Sequence, residues 1–527
     1  MSFYGLEIAR TGIFVNRKGL EVTSHNVANA STPGYTRQVL NVKSNPPSSK
    51  VGFYSPKFQV GMGADVQSLE QIRDMFLDMQ YRNEYSRQGE YEIKADNLNF
   101  IEAIFNEPSD TGLSAVIDQF FSSLQELSKN PESLTVRALV RQRASALTDA
   151  IHKMYKQLED LQSELNDQVY DKILEINSIA LQIADLNKQI FILELRGEKA
   201  NDLRDQRNLL VDKLSKIVDT TAYEDKDGRF IVQIAGGETL VNHFTVYELE
   251  TDKSRIERNS GFESNGLPTQ FNPDDPRSQQ NLYDVPGLFV VMWKDTGQVL
   301  NIKSGELKGL LDMRDGVGGL DEDIKDEKGK IVVDVPNKNS FTGIPYYLNR
   351  LNEFARKLIE KFNELHKKGW SLNGQNKGIN FFEPPVGQKF FYARDIKVSD
   401  AIMNDLNNIA TTYDVNNLPG GNDLVVDMLK LRNDTSIFKE GKFEDFLKSL
   451  ISNLGVDSQG AKNFAENQKV MVTQLDNRRQ AVSGVSIDEE MTNLIKYQHG
   501  FQASARMINA FDEMLDTIVN RLGVVGR

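Results

Sequence analysis

Apolar positions recur every seven residues at both ends of the chain. Near the amino terminus Leu6, Ile13, Leu20 and Val27 keep that spacing, with Phe3 and Ala9 beside them, and the run stops at Asn29 to Gly34. The pattern predicts a helix with one narrow apolar stripe. At the other end Ile487, Leu494, Phe501, Ile508, Leu515 and Leu522 recur every seven, with Met491, Ala505 and Val519 at the companion position. This predicts a second heptad helix that runs almost to the last residue. Ser486 and Glu489 form a capping box that sets its start, and Ser483-Gly484 supplies a break before it. Gln498 and Asp512 interrupt the companion positions, and polar residues there select register and partner at a cost in stability.

Between these ends the 3/4 alternation continues. It is clean from Leu147 through Ile151, Met154, Leu158, Leu161 and Leu165, slips in phase near Gln168 to Lys172, and resumes through Ile173, Ile176, Ile183, Leu186, Ile190 and Leu193. Further helices are predicted from about Asn201 to Val218, Pro345 to Lys367, and Ala461 to Val482, the last with Phe464, Gln468, Met471, Leu475 and Val482 on one face. The texture changes in residues 219 to 305, where RFIVQIAGG, HFTVYELET and GLFVVMWKD alternate with Gly, Pro, Asn and Asp clusters. A short run, KIVVDV, lies in the acidic stretch 315 to 341, and a third mixed segment covers about 379 to 425. The expected fold is therefore mainly α with a β-rich insertion, a multidomain chain of long bundled helices plus terminal coiled-coil helices.

Composition narrows the functional classes. A chain of 527 residues exceeds what one core usually serves, so two to four structural units are expected. With 62 basic and 75 acidic residues the formal charge is -13, which disfavours nucleic acid as a partner. No cysteine is present, so disulfides, thiolate metal sites and cysteine nucleophiles are excluded. The amino terminus lacks the apolar h-region of a cleaved signal peptide, and no segment has the length of apolar sequence that spans a bilayer. The expectation is a cytosolic protein, or one exported by a route that reads no such signal, with no membrane partner.

Motifs for catalysis and cofactors do not emerge. His25, His152, His243, His366 and His499 are scattered and form no HExxH pair, and Gly61-Met62-Gly63 lacks the third glycine of a dinucleotide loop. Neither a GxxxxGK[ST] phosphate loop nor a GxSxG elbow occurs. Asp321, Asp323 and Asp326 suggest a calcium loop, but Asp326 takes the place where the sharp turn needs glycine. No catalytic, cofactor-binding or metal residue is assigned, and no cofactor is expected.

The most specific signal follows the first helix. In Asn26-Val27-Ala28-Asn29-Ala30-Ser31-Thr32-Pro33-Gly34-Tyr35-Thr36-Arg37-Gln38, proline restricts Thr32 to an extended conformation and Pro33-Gly34 suits the centre of a type II turn. The segment reads as helix, turn, strand. It closely resembles the amino-terminal signature of flagellar rod, hook and hook-associated proteins, through Asn26, Asn29, Pro33, Gly34, Tyr35, Thr36, Arg37 and Gln38. Three further segments resemble the hook-associated protein 1 branch of that family: Asn201 to Arg207 (NDLRDQR), Gly305 to Asp315 (GELKGLLDMRD) and Ser483 to Glu490 (SGVSIDEE). So does Tyr497-Gln498 followed by Phe501-Gln502-Ala503, while Ser24-His25 and His499-Gly500 depart from the pattern.

The resemblance implies a structural subunit of the bacterial flagellum that forms the junction between hook and filament and is needed for filament assembly. It implies self-assembly into a helical ring, with hook protein on one side and the next hook-associated protein and filament on the other. Export through the flagellar type III apparatus and a chaperone on the carboxy-terminal helix are implied as well. On this reading residues 1–40 and 484–527 are terminal coiled-coil helices that lack order in a monomer. Residues 41–218 and 306–483 are the helical core, and 219–305 form the outer β-rich domain. The two heptad stripes are then assembly seams between subunits, against the simpler reading of a seam within one chain. Two alternatives stay open: a hook or rod subunit, and an axial protein whose β-rich insert is a surface adhesin.

Overall fold

The computed structural model describes residues 4–46, 61–105, 112–197, 199–252, 288–316, 318, 324–325, 331–333, 341–383 and 393–521. Phe3, Leu522, Asp321, Asp323 and Asp326 lie outside them. The chain opens with helix α1 (Tyr4–Ala28) and an antiparallel ribbon of β1 (Gln38–Ser44) and β2 (Ala64–Gln71). Then come α2 (Met75–Phe105), α3 (Leu113–Lys129), α4 (Leu134–Glu194) and α5 (Asn201–Ile217). Strands β3 (Thr220–Glu224), β4 (Phe230–Ile234), β5 (Glu238–Asn242) and β6 (Thr245–Val246) form an antiparallel sheet in that order. A second ribbon joins β7 (Leu249–Asp252) to β8 (Val290–Trp293). The remaining helices are α6 (Glu306–Asp315), α7 (Ile344–His366), α8 (Asp400–Asn404), α9 (Asp423–Lys430), α10 (Phe443–Ser483) and α11 (Ile487–Asp516). This is the mainly helical fold with a β-rich insertion that the apolar pattern predicts.

The backbone of the body is α4, whose 61 residues make a rod about 92 Å long. It starts at Leu134, well before the clean alternation, because Ser133 caps it by accepting from the Val136 N–H. The phase slip does not break it. Leu165, Val169 and Ile173 are all buried at successive steps of four, so the buried line shifts around the helix while the backbone continues. Helices α3, α5, α6 and α7 pack along it, and Phe120, Phe362, Phe381 and Phe382 interlock where α3 meets α7. The β7 edge is tied to the same rod, since the Asn177 side chain donates to the Leu249 carbonyl and accepts from its N–H.

Two antiparallel helix pairs complete the architecture. Helix α10 runs back along α2, and α11 runs back along α1. On α10 the buried residues include Leu454, Ser458, Ala461, Val472 and Leu475, whereas Phe464, Met471 and Val482 of the expected face are exposed. The helix begins at Phe443, upstream of the apolar run, and its contacts with α2 come from within the run, where Phe464 stacks on Tyr91 and Arg479 lies over Tyr81. The expected boundary at residue 40 falls inside β1. The β1–β2 ribbon packs on α1, where the Thr11 hydroxyl accepts from the Ala64 N–H at 3.4 Å. It thus accompanies the terminal helix pair.

Candidate assembly site at the terminal joint

The signature turn closes by a hydrogen bond from the Tyr35 N–H to the Thr32 carbonyl, with Gly34 at a φ of +79°. A side chain at Gly34 would be strained by that φ and would meet Leu209 of α5 at 3.3 Å. Asn29 ends α1 by donating its side-chain amide to the His25 carbonyl, and its oxygen accepts from Thr32 Oγ1. Pro33 and Gly34 themselves face solvent.

The polar residues of the signature reach into the fold. Asn26 is 1% exposed, and its amide donates to the Gln38 carbonyl (2.9 Å) and to Glu490 (3.2 Å). Its oxygen accepts from the Gln38 N–H (3.1 Å) and the Tyr35 hydroxyl (2.8 Å). Both donors and both acceptor positions are filled, which only an amide side chain achieves here. Burial, reinforced by Asp202, Asp205 and Glu490, pushes the Tyr35 phenol up, so it stays a donor. The Thr36 N–H (2.8 Å) and hydroxyl (2.6 Å) both donate to Asp205, while Gln38 donates to Asp202 and accepts from Asn201. Burial raises the Asp205 carboxyl, partly offset by the Thr36 bonds and Arg73. Arg37 donates Nε to Glu490 at 2.8 Å, pairs with Glu489 at 2.8 Å, and donates its N–H to the Ser483 carbonyl.

Three segments that are far apart in sequence thus meet at one joint: the signature, the start of α5 (NDLRDQR), and the link from α10 into α11 (SGVSIDEE). The capping box there is divided. Ser486 accepts from the Glu489 N–H, but the Glu489 carboxylate turns to Arg37. GELKGLLDMRD sits elsewhere, as α6, where Gly309 lets the helix approach the α2 backbone and Asp312 pairs with buried Lys94 at 2.7 Å.

Behind the joint lies an ion network that no local pattern announces. Arg73 pairs with Asp78, while Arg82 (2.7 Å) and Arg479 (2.6 Å) both bind Asp212. Burial alone would raise the Asp212 carboxyl, but Arg82, Arg479 and Arg73 outweigh it and hold it low. The Arg479 guanidinium also lies over Tyr81 at 4.0 Å. A cleft of about 640 Å³ separates the signature turn from residues 476–486, lined by Gly34, Arg73, Asp78, Arg479, Ser483 and Val485 among others.

Helix α11 meets α1 along a row different from the one expected. Gly5, Gly12 and Gly19 face Phe511, Ser504 and Tyr497, a constant antiparallel register at seven-residue spacing. Leu494, Phe501, Ala505, Ile508 and Leu515 are half-buried along the pair, as are Leu6, Ile13, Leu20 and Val27 beside the glycine row. Met491 (46% exposed), Val519 (68%) and Ile487 (55%) stand outside the contact between α1 and α11. The companion position is taken by Tyr497, Ser504 and Phe511, because the glycines of α1 leave room for them. Gln498 and Asp512 share the flanking row with Met491 and so interrupt nothing. The missed signal was three glycines seven apart inside a helix, where each would ordinarily weaken it.

Residues 98–382 match the family described as flagellar hook-associated protein FlgK helical domain. The whole chain is 33% identical to flagellar hook-associated protein 1 of Bacillus subtilis, over 100% of this chain and 99% of that one. The chain belongs to the flagellar hook-associated protein 1 family. The Salmonella typhimurium member of that name is 24% identical over 97% of this chain and 98% of its own length. The carboxy-terminal residues 477–522 also match the C-terminal region of flagellar basal body rod FlgEFG proteins, so the α10–α11 link and α11 are features shared with the rod type. Among solved structures, the flagellar hook junction protein FlgK from Burkholderia pseudomallei has the same fold, with a TM-score of 0.55 at 14% identity over 78% of this chain and 100% of that one. Hook-associated protein 1 relatives therefore match this chain through its termini, its helical body and its β-rich part alike.

Among the described residues no helix is long and apolar enough to cross a membrane. Among those same residues no group of three or more His, Asp or Glu side chains could hold a metal ion.

Proposed function

We propose that this chain is a structural subunit of the bacterial flagellum that joins hook to filament. The observation that carries the reading is the full-length match to hook-associated protein 1 relatives, with the signature, α5 and α11 segments meeting at one polar joint. Copies of the chain add through heterologous contacts into a helical ring, with hook protein on one side and the next hook-associated protein and filament on the other. The α1–α11 pair, with the β1–β2 ribbon beside it, is the inner seam, the rest of residues 41–218 together with 306–483 the helical layer, and 219–305 the outer part. The half-buried stripes of Leu6, Ile13, Leu20, Val27, Leu494, Phe501, Ile508 and Leu515, together with exposed Met491 and Val519, are the surface offered to neighbours. A helix pair with so little of its surface buried is marginal in water, so the ends gain fixed order on assembly.

The chain has no catalytic role on this reading. It leaves the cell through the flagellar export apparatus, held until then by a chaperone on α11. The test is electron microscopy of cells that lack the protein. Intact hooks without attached filaments, restored by the full chain but not by one ending at residue 485, are expected. Normal filaments in its absence would overturn the proposal.

A further inference from the structure

The terminal helix pair is held to the body by little more than the joint. Among the described residues α1 packs along α11 and the β1–β2 ribbon, and neither helix runs along one of the body. The chain crosses between the two parts at residues 72–74 and 484–486. Open space flanks the crossing on both sides. One side holds the cleft of about 640 Å³ described above, and the other a cleft of about 570 Å³ where Lys18, Glu21 and His25 of α1 face Lys199, Asp202 and Leu203. Parts joined through so small and polar an interface move relative to one another, and the side chains that span the gap set how freely.

His25 spans that second cleft from the α1 side, and the hydrogen bonds around it fix its tautomer. The Gln38 backbone orients the Asn26 amide, because its carbonyl accepts from the amide nitrogen at 2.9 Å and its N–H donates to the amide oxygen at 3.1 Å. The Asn26 oxygen therefore meets the Tyr35 hydroxyl at 2.8 Å, and the phenol commits its single proton there. Only lone pairs of the Tyr35 oxygen are then left for His25 Nδ1 at 3.1 Å, so Nδ1 carries a hydrogen and donates it. Nε2 remains as the atom that gains or loses a proton. It stands 3.7 Å from Asp202 Oδ2 at the start of α5, while Asp202 Oδ1 accepts from Gln38.

We propose that His25 is a proton-operated latch between the terminal helix pair and the body. With the imidazole charged, Nε2–H points at the Asp202 carboxylate and the two sides of the cleft attract. With it neutral, the same nitrogen turns a lone pair toward that carboxylate and the latch is off. Its place in the last turn of α1 favours the charged form, since a helix carries partial negative charge at its carboxy end. The other carboxylates nearby are engaged: Glu21 of α1 by Lys18 at 2.9 Å, Asp205 of α5 by Thr36, and Glu490 of α11 by Arg37 and Asn26. Lys18 and Lys199 line the same cleft and oppose the added charge. Closure and protonation favour each other, so the contact is present at low pH and is lost as the pH rises through the range where imidazole titrates, about 5 to 8. The side chains of His25 and Asp202 are 43% and 59% exposed, so solvent screens the pair and its effect on the closed-to-open ratio is about two- to fivefold.

The natural absence of cysteine makes the test direct. Spin labels on Lys213→Cys of α5 and Lys496→Cys of α11, both exposed positions, report the distance between body and terminal pair in the full-length chain by pulsed dipolar electron paramagnetic resonance. Raising the pH from about 5.5 to about 8 should lower the closed-to-open ratio about two- to fivefold, and less at high salt. His25→Asn keeps an N–H for Tyr35 but has no Nε2, and Asp202→Asn keeps the oxygen that accepts from Gln38 but has no charge. In each of these variants the distance distribution should be the same at both pH values, with the melting temperature of the body unchanged. A distribution indifferent to pH in the chain that retains His25 and Asp202 overturns the inference. So does a pH response that survives either substitution.

Discussion

Replacing Gly19 by alanine separates a glycine needed for close approach from one that is merely tolerated. In a helix interior the exchange ordinarily stabilises by about 1 kcal/mol, because alanine loses less backbone freedom on folding. At Gly19 the new Cβ would lie 2.6 Å from the Tyr497 ring, which is stiff and half-buried against α1. Either the ring leaves its rotamer or the helices move apart, and overpacking of that kind costs about 1–3 kcal/mol. The net expectation is a loss of up to about 2 kcal/mol in the α1–α11 pair. Gly460 of α10 is the internal control, since a Cβ there meets nothing within 4 Å and Gly460→Ala should stabilise by about 1 kcal/mol. Amide hydrogen exchange resolved by segment is the assay, because it reads opening of α1 and α11 separately from the body. Faster exchange in both terminal helices is expected for Gly19→Ala. Exchange that slows as much as it does in α10 of Gly460→Ala would refute the close-packed antiparallel register.

The joint, the buried histidine and the α5 anchor yield three more tests. Glu490→Gln keeps one acceptor oxygen instead of two, so either Arg37 Nε or the Asn26 amide is left facing an amide N–H while Glu489 still holds the guanidinium at 2.8 Å; a loss of about 1–3 kcal/mol is expected, seen as faster proteolysis at residues 484–486, and cleavage at the native rate would count against the Glu490 contacts. Asp205→Asn turns an amide N–H toward the two Thr36 donors and should cost about 1–3 kcal/mol in thermal unfolding, and an unchanged melting temperature would contradict that anchor. His366 is fully buried, donating from Nδ1 to the Ile379 carbonyl and accepting at Nε2 from the Ala410 N–H, and burial pushes its pKa down to about 4. Its folded value is below the unfolded one, so its contribution is complete above pH 6.5 and is lost as the pH falls toward 4, by up to about 3 kcal/mol. A His366→Asn variant should lose that part of the acid sensitivity; a stability profile parallel to the native one between pH 7 and pH 4 would exclude the histidine as its source.

Much of this arrangement is legible in the chain because local rules and tertiary structure agree there. The 3/4 alternation from Leu147 to Leu193 marks α4, and Pro33-Gly34 marks the turn that Gly34 makes at positive φ. Where local pattern falls short of the arrangement, packing against a partner decides it. Apolarity alone selects Met491 and Val519 as companions to Leu494, but the room created by Gly5, Gly12 and Gly19 gives that position to Tyr497, Ser504 and Phe511. Helix α2 shows no apolar pattern because its buried positions include Asp78, Arg82 and Lys94, which find partners in Arg479 of α10, Asp212 of α5 and Asp312 of α6. For the same reason the signature residues read as a motif without a mechanism until Asp205 and Glu490 came within reach of them. Such pairings join residues hundreds of positions apart, and no local pattern announces them.

The position of the chain in the flagellum is the decisive observable. A small epitope inserted in the exposed turn at Gly228, where a side chain would meet nothing within 4 Å, leaves both terminal helices and the joint untouched. Gold labelling of that epitope on isolated flagella should give a single narrow band between hook and filament. Label spread along the hook or the filament, or absent from the boundary between them, would contradict the account.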